Sequence, residues 1–131
     1  MKVIHHACMF LLIASWSGVL GAVEPTTDSL AKVSKNVEYW YAVLVDVREK
    51  SEWDAGHIDG AISLPLSELD EGVDAASLAK RLPKDKVLYI HCALGKRALT
   101  AAGILERYGF KVRSLKPGYE ELLGAGFKRA P

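Results

Sequence analysis

The sequence predicts an α/β fold in which a mostly parallel sheet is covered by helices on both faces. Short apolar runs alternate with segments of helical periodicity along the chain, which is the pattern of consecutive βαβ units. The runs AVLV at residues 42–45 and VLYI at residues 87–90 are apolar at every position. Continuous apolar runs of this length are typical of strands that are buried on both faces of a sheet.

The first 22 residues are predicted to form a secretory signal peptide. Lys2 precedes an apolar stretch at residues 7–19, and Leu20-Gly21-Ala22 offers a cleavage site ahead of Val23. The alternative is an uncleaved N-terminal membrane anchor, although this stretch is shorter than the roughly 20 residues that span a bilayer. The signal-peptide interpretation predicts an exported protein, located in the bacterial periplasm.

Cleavage after residue 22 would leave 109 of the 131 residues, enough for one domain with a single core. Removing Lys2 reduces the 17 basic residues to 16, which equals the 16 acidic ones. Basic and acidic residues are interspersed, so no nucleic-acid partner and no anionic membrane surface is indicated. Cys8 lies in the removed segment, so Cys92 would be the one cysteine of the mature chain. Such a cysteine is either a buried apolar side chain or a thiol kept for its reactivity.

The mature chain is predicted to begin with a linker at residues 23–27, and the domain follows at residues 28–131. Thr27 or Asp28 can cap a first helix that runs through Lys35. A strand follows over residues 42–47, where β-branched and apolar residues dominate. The aromatic residues that precede it are predicted to pack in the core. They are Tyr39, Trp40 and Tyr41.

Short elements follow this first strand. The polar, glycine-containing segment after it is predicted to be a loop with a helical turn at residues 50–55. A short strand at residues 61–64 is closed by Pro65. Two short helices are then predicted, one at residues 66–72 and one that is capped by Asp74.

The second half of the chain repeats the alternation. After a turn at residues 83–85, the apolar run continues to His91 and predicts a strand over residues 87–91. Apolar residues at helical spacing predict a helix over residues 97–108, which Gly109 would end. A strand at residues 111–115 follows. The last predicted helix is opened by Pro117, runs through Leu123, and is ended by Gly124.

The segment between the strand at residues 87–91 and the next helix contains the strongest candidate for a functional site. Ligand sites of parallel sheets lie beyond the carboxyl ends of the strands, and Cys92 occupies this position. Gly95 permits a positive φ, so successive backbone N–H groups can converge on one anion. The helix N-terminus and the charges of Lys96 and Arg97 add positive potential. We therefore predict Cys92 as a nucleophilic thiolate, with an anion site formed by its loop. The predicted substrate-binding residues are Ala93, Leu94, Gly95, Lys96 and Arg97.

A thiolate beside an anion site permits two reactions. Cys92 can attack the outer sulfur of thiosulfate and hold that sulfur as a persulfide, or it can attack the phosphorus of a phosphate ester. Four residues separate Cys92 from Arg97, which makes a small ring for a tetrahedral phosphoryl group. A third interpretation is a buried cysteine without chemistry, but it does not account for the adjoining glycine, cations and helix start.

Two motifs resemble the rhodanese family of sulfurtransferases in its single-domain form, over residues 26–129. The stretch LVDVREKSEWDAGHIDGAISLPLSEL, residues 44–69, is similar to that family's Asp-Val-Arg-Glu strand end and Gly-His-Ile-x-Gly-Ala segment. The pattern Cys92-x-x-Gly95-x-Arg97 is similar to its active-site loop. The closing segment at residues 115–127 departs from the family pattern, because Pro117 replaces a glycine and leucines replace a tryptophan.

The resemblance implies a five-stranded parallel sheet, Cys92 as the persulfide carrier, and the backbone of residues 93–97 as the anion site. The related phosphatases and arsenate reductases have a loop one residue longer, so the resemblance favours sulfur transfer. It also implies structural support from Asp46, Arg48 and His57, since buried charges persist when they are paired. The sequence shows no metal-ligand spacing, and no cofactor is expected.

The predicted function is an exported thiosulfate sulfurtransferase that works through a Cys92 persulfide. Without a second cysteine in the mature chain, an external acceptor must take the sulfur, whether cyanide, a thiol or a partner protein. Two alternatives stay open at this point. One is a phosphatase or arsenate reductase on the same fold, and the other is a binding or sulfur-carrier module without turnover of its own.

Overall fold

The structure is a computed structural model that describes residues 23–131, in which four strands and six helices alternate. The predicted signal peptide or anchor, residues 1–22 with Cys8, lies outside the described residues. The strands are β1 (Ala42–Asp46), β2 (Ile62–Ser63), β3 (Val87–His91) and β4 (Lys111–Ser114). The helices are α1 (Leu30–Glu38), α2 (Lys50–Ala55), α3 (Leu66–Glu71), α4 (Ala75–Arg81), α5 (Lys96–Arg107) and α6 (Tyr119–Gly124). Within residues 23–131 no helix combines the length and the apolar character that crossing a membrane requires.

All strand pairs are parallel, and the sheet order is β2-β1-β3-β4. Asp46 pairs with His91 in the register, so the last residues of β1 and β3 lie side by side. Because side chains alternate between the faces of a strand, Leu88 and Ile90 pack with α3, α4 and α5, whereas Tyr89 packs with α1 and α6. The predicted parallel sheet with helices on both faces is confirmed, and the end of β3 lies where the chain enters the Cys92 loop.

The sheet of the described residues has four strands, not the five that the resemblance implied. The missing edge strand is replaced by one parallel bridge between Pro25 and Ser114, with Thr26 N–H donating to the Ser114 carbonyl at 2.8 Å. Proline has no N–H group to donate to a ladder, so pairing ends after this single bridge. The segment predicted as a linker, residues 23–27, therefore lies against the open edge of β4.

The prediction that Tyr39, Trp40 and Tyr41 pack in the core is wrong. Their exposed fractions are 60%, 71% and 69%. The first buried residue of β1 is Ala42, so the three aromatic side chains lie before the sheet, where α1 ends. Trp40 has a φ of 62°, the one non-glycine residue of the described chain with a positive φ. The chain uses this left-handed residue to turn from α1 into β1.

Several helix ends differ from the prediction by one to three residues, and α1 runs to Glu38, beyond its predicted end at Lys35. Ser29 caps α1 and accepts a hydrogen bond from the Lys32 N–H at 3.1 Å, a role predicted for Thr27 or Asp28. Asp74 caps α4 as predicted, accepting from the Ser77 N–H at 2.8 Å. The last helix begins after Gly118, and the prediction that Pro117 opens it is wrong.

A buried tyrosine fastens α1 to the sheet. The Tyr89 hydroxyl donates to Asp28 Oδ2 at 2.7 Å and accepts from Asn36 Nδ2 at 2.9 Å. Arg113 donates to the same carboxylate at 2.6 Å. These hydrogen bonds hold the pKa of Asp28 near 2, chiefly through the Tyr89 hydroxyl, so this carboxylate stays charged and keeps the helix in place. α1 therefore stays packed on the sheet face that carries Tyr89, whereas Cys92 packs with the residues of the other face.

Candidate active site

The Cys92 sulfur lies at the centre of the loop that joins β3 to α5. Its Sγ accepts hydrogen bonds from the Gly95 N–H at 3.0 Å and from the Ala98 N–H at 3.4 Å. The residue is 1% exposed and is the free cysteine of the described chain. Two backbone N–H groups directed at one sulfur stabilise negative charge on it, and they cost no reorganisation when that charge develops.

Gly95 gives the loop its curvature. Its φ of 91° and ψ of −22° lie in the left-handed region, which a residue with a side chain seldom adopts. A Cβ atom at this position would lie 2.9 Å from the Lys116 carbonyl oxygen. Gly95 is also the N-cap of α5, so the free N–H groups and the partial positive charge of this 12-residue helix point toward the sulfur.

The segment before α6 holds the loop from its other side. The Tyr119 N–H donates to the Cys92 carbonyl at 2.9 Å, and Gly118 packs against the next peptide. A Cβ atom on Gly118 would lie 1.7 Å from the Ala93 carbonyl oxygen. Glycine is therefore required here by close approach of two backbones, and this contact fixes where the Cys92 carbonyl points.

The Arg97 guanidinium is paired with a carboxylate and is therefore not available for a bidentate contact with an anion. Its guanidinium donates to Glu52 Oε1 at 2.5 Å and to Oε2 at 3.0 Å, and both side chains are about one-third exposed. The hydrogen bond from Arg97 lowers the pKa of Glu52 to about 2, and the hydrogen bond to Glu52 raises the pKa of Arg97. Arg97 was predicted from the sequence to attract the donor anion. The structure places it in the first turn of α5, with its charge balanced by Glu52.

The other predicted loop residues lie at the surface. Leu94 is 87% exposed at the tip of the loop, and Lys96 is exposed in the first turn of α5. Ala93 is half-buried between Cys92 and this tip. The rim around the sulfur therefore presents one apolar side chain and one ammonium group to solvent.

Asp46 and Arg48 form a buried ion pair under the site. Arg48 Nη2 donates to Asp46 Oδ2 at 2.8 Å and to the Gly56 carbonyl at 2.8 Å. Asp46 is fully buried and Arg48 is 5% exposed, and the guanidinium lies 4.0 Å from the centre of the Tyr119 ring. The pair joins the end of β1 to the loop after α2 and to the segment that holds Cys92.

His91 is buried between this ion pair and the cysteine loop. Its Nε2 atom lies 3.9 Å from Asp46 Oδ2, and neither ring nitrogen has a hydrogen-bond partner. Burial is the main cause that lowers the pKa of His91, so the ring is neutral at physiological pH. It occupies the last position of β3, as predicted.

His57 lies in the loop that follows α2. Its ring is stacked on Trp53 with the ring centres 3.6 Å apart, and Nδ1 lies 3.1 Å from the Trp53 carbonyl oxygen. The structure therefore places His57 against α2, apart from the hydrogen bonds of the Cys92 sulfur. Among residues 23–131 no cluster of three or more His, Cys, Asp or Glu side chains could hold a metal ion.

The comparison with known families agrees with this geometry. The profile of the rhodanese-like domain matches residues 29–125, nearly all of the described chain. The chain belongs to the rhodanese family. The sequence also resembles the human thiosulfate:glutathione sulfurtransferase, with 32% identity over 106 residues that cover 74% of this chain and 92% of that protein.

A solved structure and a longer protein that matches over part of its length also resemble this chain. The human single-domain sulfurtransferase superposes on the chain with a TM-score of 0.66 and 30% identity, covering 77% of this chain and 96% of the other. A probable adenylyltransferase/sulfurtransferase of Mycobacterium tuberculosis, MoeZ, is 37% identical over 67 residues. That match covers 51% of this chain and only 16% of the longer protein. Relatives of this rhodanese domain are thus sulfurtransferases, which supports sulfur transfer in general.

Three residues that shape this rhodanese site were not predicted from the sequence. Glu52 balances the charge of Arg97, Gly118 packs on the loop backbone, and Tyr119 binds the Cys92 carbonyl. Glu52 lies within the family motif, but its partner is 45 residues away, and no local pattern indicates that pairing. The glycine before α6 was visible in the sequence, and its place one residue after Pro117 is the signal that could have identified it.

Proposed function

We propose that this protein is a thiosulfate sulfurtransferase, or uses a closely related anionic sulfur donor, and carries the sulfur as a persulfide on Cys92. One observation supports the proposal most directly. The Cys92 sulfur accepts two backbone N–H groups at the N-terminus of α5, an arrangement that stabilises a thiolate and then a persulfide anion.

The proposed reaction has two steps. The Cys92 thiolate attacks the outer sulfur of thiosulfate, the sulfur–sulfur bond of the donor breaks, and sulfite leaves with the electron pair. The acceptor anion, cyanide or a thiolate, then attacks the terminal sulfur of the persulfide, and the Cys92 thiolate is restored. The N–H groups of Gly95 and Ala98 lie beside the sulfur that bears negative charge at both ends of the cycle.

The second step requires a partner from outside the domain. Cys92 is the free cysteine of residues 23–131, so no second thiol of the described chain can resolve the persulfide. We propose a thiol or a partner protein as the acceptor in the cell, with cyanide as a substitute in the assay. We further propose that the protein acts after export, most simply in the periplasm, on the evidence of residues 1–22.

The mass of the intact protein tests the reaction. After exposure to thiosulfate, the protein is expected to gain the mass of one sulfur atom, and treatment with cyanide is expected to remove it. The Cys92→Ser variant is expected to gain nothing, because serine cannot hold a sulfane sulfur. A reduced wild-type protein that takes no sulfur from thiosulfate would reject this donor. Loading without release to any acceptor would instead indicate a carrier module.

Leu94 is expected to contribute to the choice of acceptor. The side chain is 87% exposed beside a buried sulfur, so an acceptor with apolar surface can bury it on approach. We expect Leu94→Ser to lower the transfer rate to a protein or apolar thiol about threefold to tenfold. The rate with cyanide is the internal control, because this small anion covers little of Leu94. Equal changes for cyanide and for the larger acceptors would contradict a role in docking.

A further inference from the structure

Both guanidinium groups near the cysteine loop are paired with carboxylates, which leaves the exposed ammonium group of Lys96 at the rim. Arg48 is bound to the buried Asp46, and Arg97 is bound through both of its terminal nitrogens to Glu52. Thiosulfate, sulfite and sulfate each carry two negative charges. A loop built to bind such anions tightly would leave at least one guanidinium free for a bidentate contact.

Glu52 is held in place independently of Arg97. Its Oε1 atom accepts the Glu49 N–H at 3.1 Å, which closes a capping box at the start of α2, and the same atom accepts from Arg97 at 2.5 Å. The carboxylate is therefore fixed at the rim of the cysteine loop by its own helix. Arg97 lies in the first turn of α5, one residue before Ala98, whose N–H donates to the Cys92 sulfur.

We infer that Glu52 is a specificity-determining residue, which lowers the affinity of the cysteine loop for doubly charged anions by cancelling the charge of Arg97. This role rests on the proposed function, because it concerns which anions the proposed sulfurtransferase binds and releases. Weak binding of dianions allows sulfite to leave after the first step. It also prevents sulfate and phosphate, which cannot give up a sulfane sulfur, from occupying the loop.

The effect of the carboxylate scales with the charge of the ligand. Coulomb energy is proportional to the product of the two charges, so cancelling Arg97 weakens the binding of a dianion about twice as much, in free energy, as that of a monoanion. The pair is about one-third exposed, so solvent screens much of this energy. We expect a change of about fivefold to tenfold in the dissociation constant of a dianion.

The Glu52→Gln variant tests the inference without relying on turnover. Glutamine keeps an oxygen that can accept the N–H groups of Glu49 and Arg97, so α2 stays capped while the negative charge is lost. Sulfate is titrated at constant ionic strength while the amide resonances of Gly95 and Ala98 are followed by NMR. We expect the dissociation constant for sulfate to fall about fivefold to tenfold, and that for nitrate to fall distinctly less. Identical constants in the two proteins, or no binding to either, would overturn the inference.

Two further variants separate this role from a general effect of charge. Asp54→Asn removes one negative charge from the same helix, where Asp54 pairs with Lys50, and it is expected to leave sulfate binding unchanged. The double variant Glu52→Gln/Arg97→Gln is expected to bind sulfate no more tightly than the wild type, because the local charge is again balanced. Tight binding by the double variant would show that Glu52 does not act through Arg97.

Kinetics provide the second readout. For Glu52→Gln we expect the KM for thiosulfate to fall while kcat does not rise, because sulfite also leaves more slowly. If Glu52 had a purely structural role, its replacement would lower kcat without increasing the affinity for any anion. If Cys92 takes no sulfur from thiosulfate, the proposed function fails, whereas the sulfate titration still decides the effect of Glu52.

Discussion

An Asp46→Ala variant is expected to lose about 3–5 kcal/mol of its free energy of unfolding. Asp46 is fully buried, and three hydrogen bonds join its carboxylate to the Arg48 side chain, so its removal leaves a guanidinium without a counter-charge at 5% exposure. The loss is a large part of the roughly 5–15 kcal/mol that stabilises a domain of this size. Urea unfolding of the variant beside the wild type measures it.

The matched control is Asp54→Ala. Asp54 also pairs with a cation, Lys50, but the two side chains are 55% and 81% exposed. Exposed pairs of this kind contribute about 0–1 kcal/mol, so the midpoint of unfolding should hardly move. Replacing the buried pair together, as Asp46→Leu with Arg48→Met, should recover much of the loss because no charge stays buried. A loss below about 1 kcal/mol for Asp46→Ala would show that water reaches Arg48 and that the pair is not a buried one.

The elements that the sequence predicts best are those with a local signal. The strand β3 was predicted at residues 87–91 and is found there, because four apolar residues and His91 are followed at once by a glycine-containing loop. The turn at residues 50–55 is likewise a helix with the predicted bounds, since Glu49 and Glu52 supply a capping box in the sequence itself. The loop from Cys92 to Arg97 was predicted from one glycine and its place between a strand and a helix.

The features that were missed depend on the surroundings of a residue. The aromatic residues before β1 match the composition of a buried strand, yet the register of the sheet begins one residue later, at Ala42. The strand prediction correctly began at Ala42, but the composition of the residues before it does not show whether their side chains pack in the core. Likewise the Arg97 charge could be read from the sequence, but its neutralisation depends on Glu52, which the fold brings to the loop from 45 residues away.

These missed contacts bear on function because they determine the shape and charge of the loop. The N–H groups that hold the sulfur come from residues within six positions of Cys92, so the chemistry of the loop is local in sequence. The affinity for anions and the position of the loop depend on Glu52 and Gly118, which come from elsewhere in the chain. Variation at these distant positions can therefore change specificity while the Cys92 motif stays the same.

Gly118→Ala is expected to abolish most of the sulfur loading on Cys92. The added Cβ atom would lie 1.7 Å from the Ala93 carbonyl oxygen and 3.1 Å from the Cys92 carbonyl oxygen, so one of the two backbones must move. A displacement of about 1 Å in a reacting group can reduce the rate about 100-fold. Overpacking of this kind also costs roughly 1–3 kcal/mol of stability, which leaves a folded protein to assay.

The expected cause of this loss is a steric clash. A second glycine-to-alanine variant, at a position without such a clash, distinguishes this cause from the general effects of alanine. Gly118 has an ordinary φ of −95°, so alanine suffers no backbone strain there, in contrast to Gly95 with its φ of 91°. Gly103, inside α5, has no atom beyond its own stretch of helix within 4 Å of an added Cβ, so Gly103→Ala should keep full sulfur loading and gain about 1 kcal/mol of stability. Comparing the rate of persulfide formation in the two variants by intact mass decides the matter. Normal loading by Gly118→Ala would mean that the loop yields to the methyl group without displacing the sulfur, and that α6 does not position Cys92.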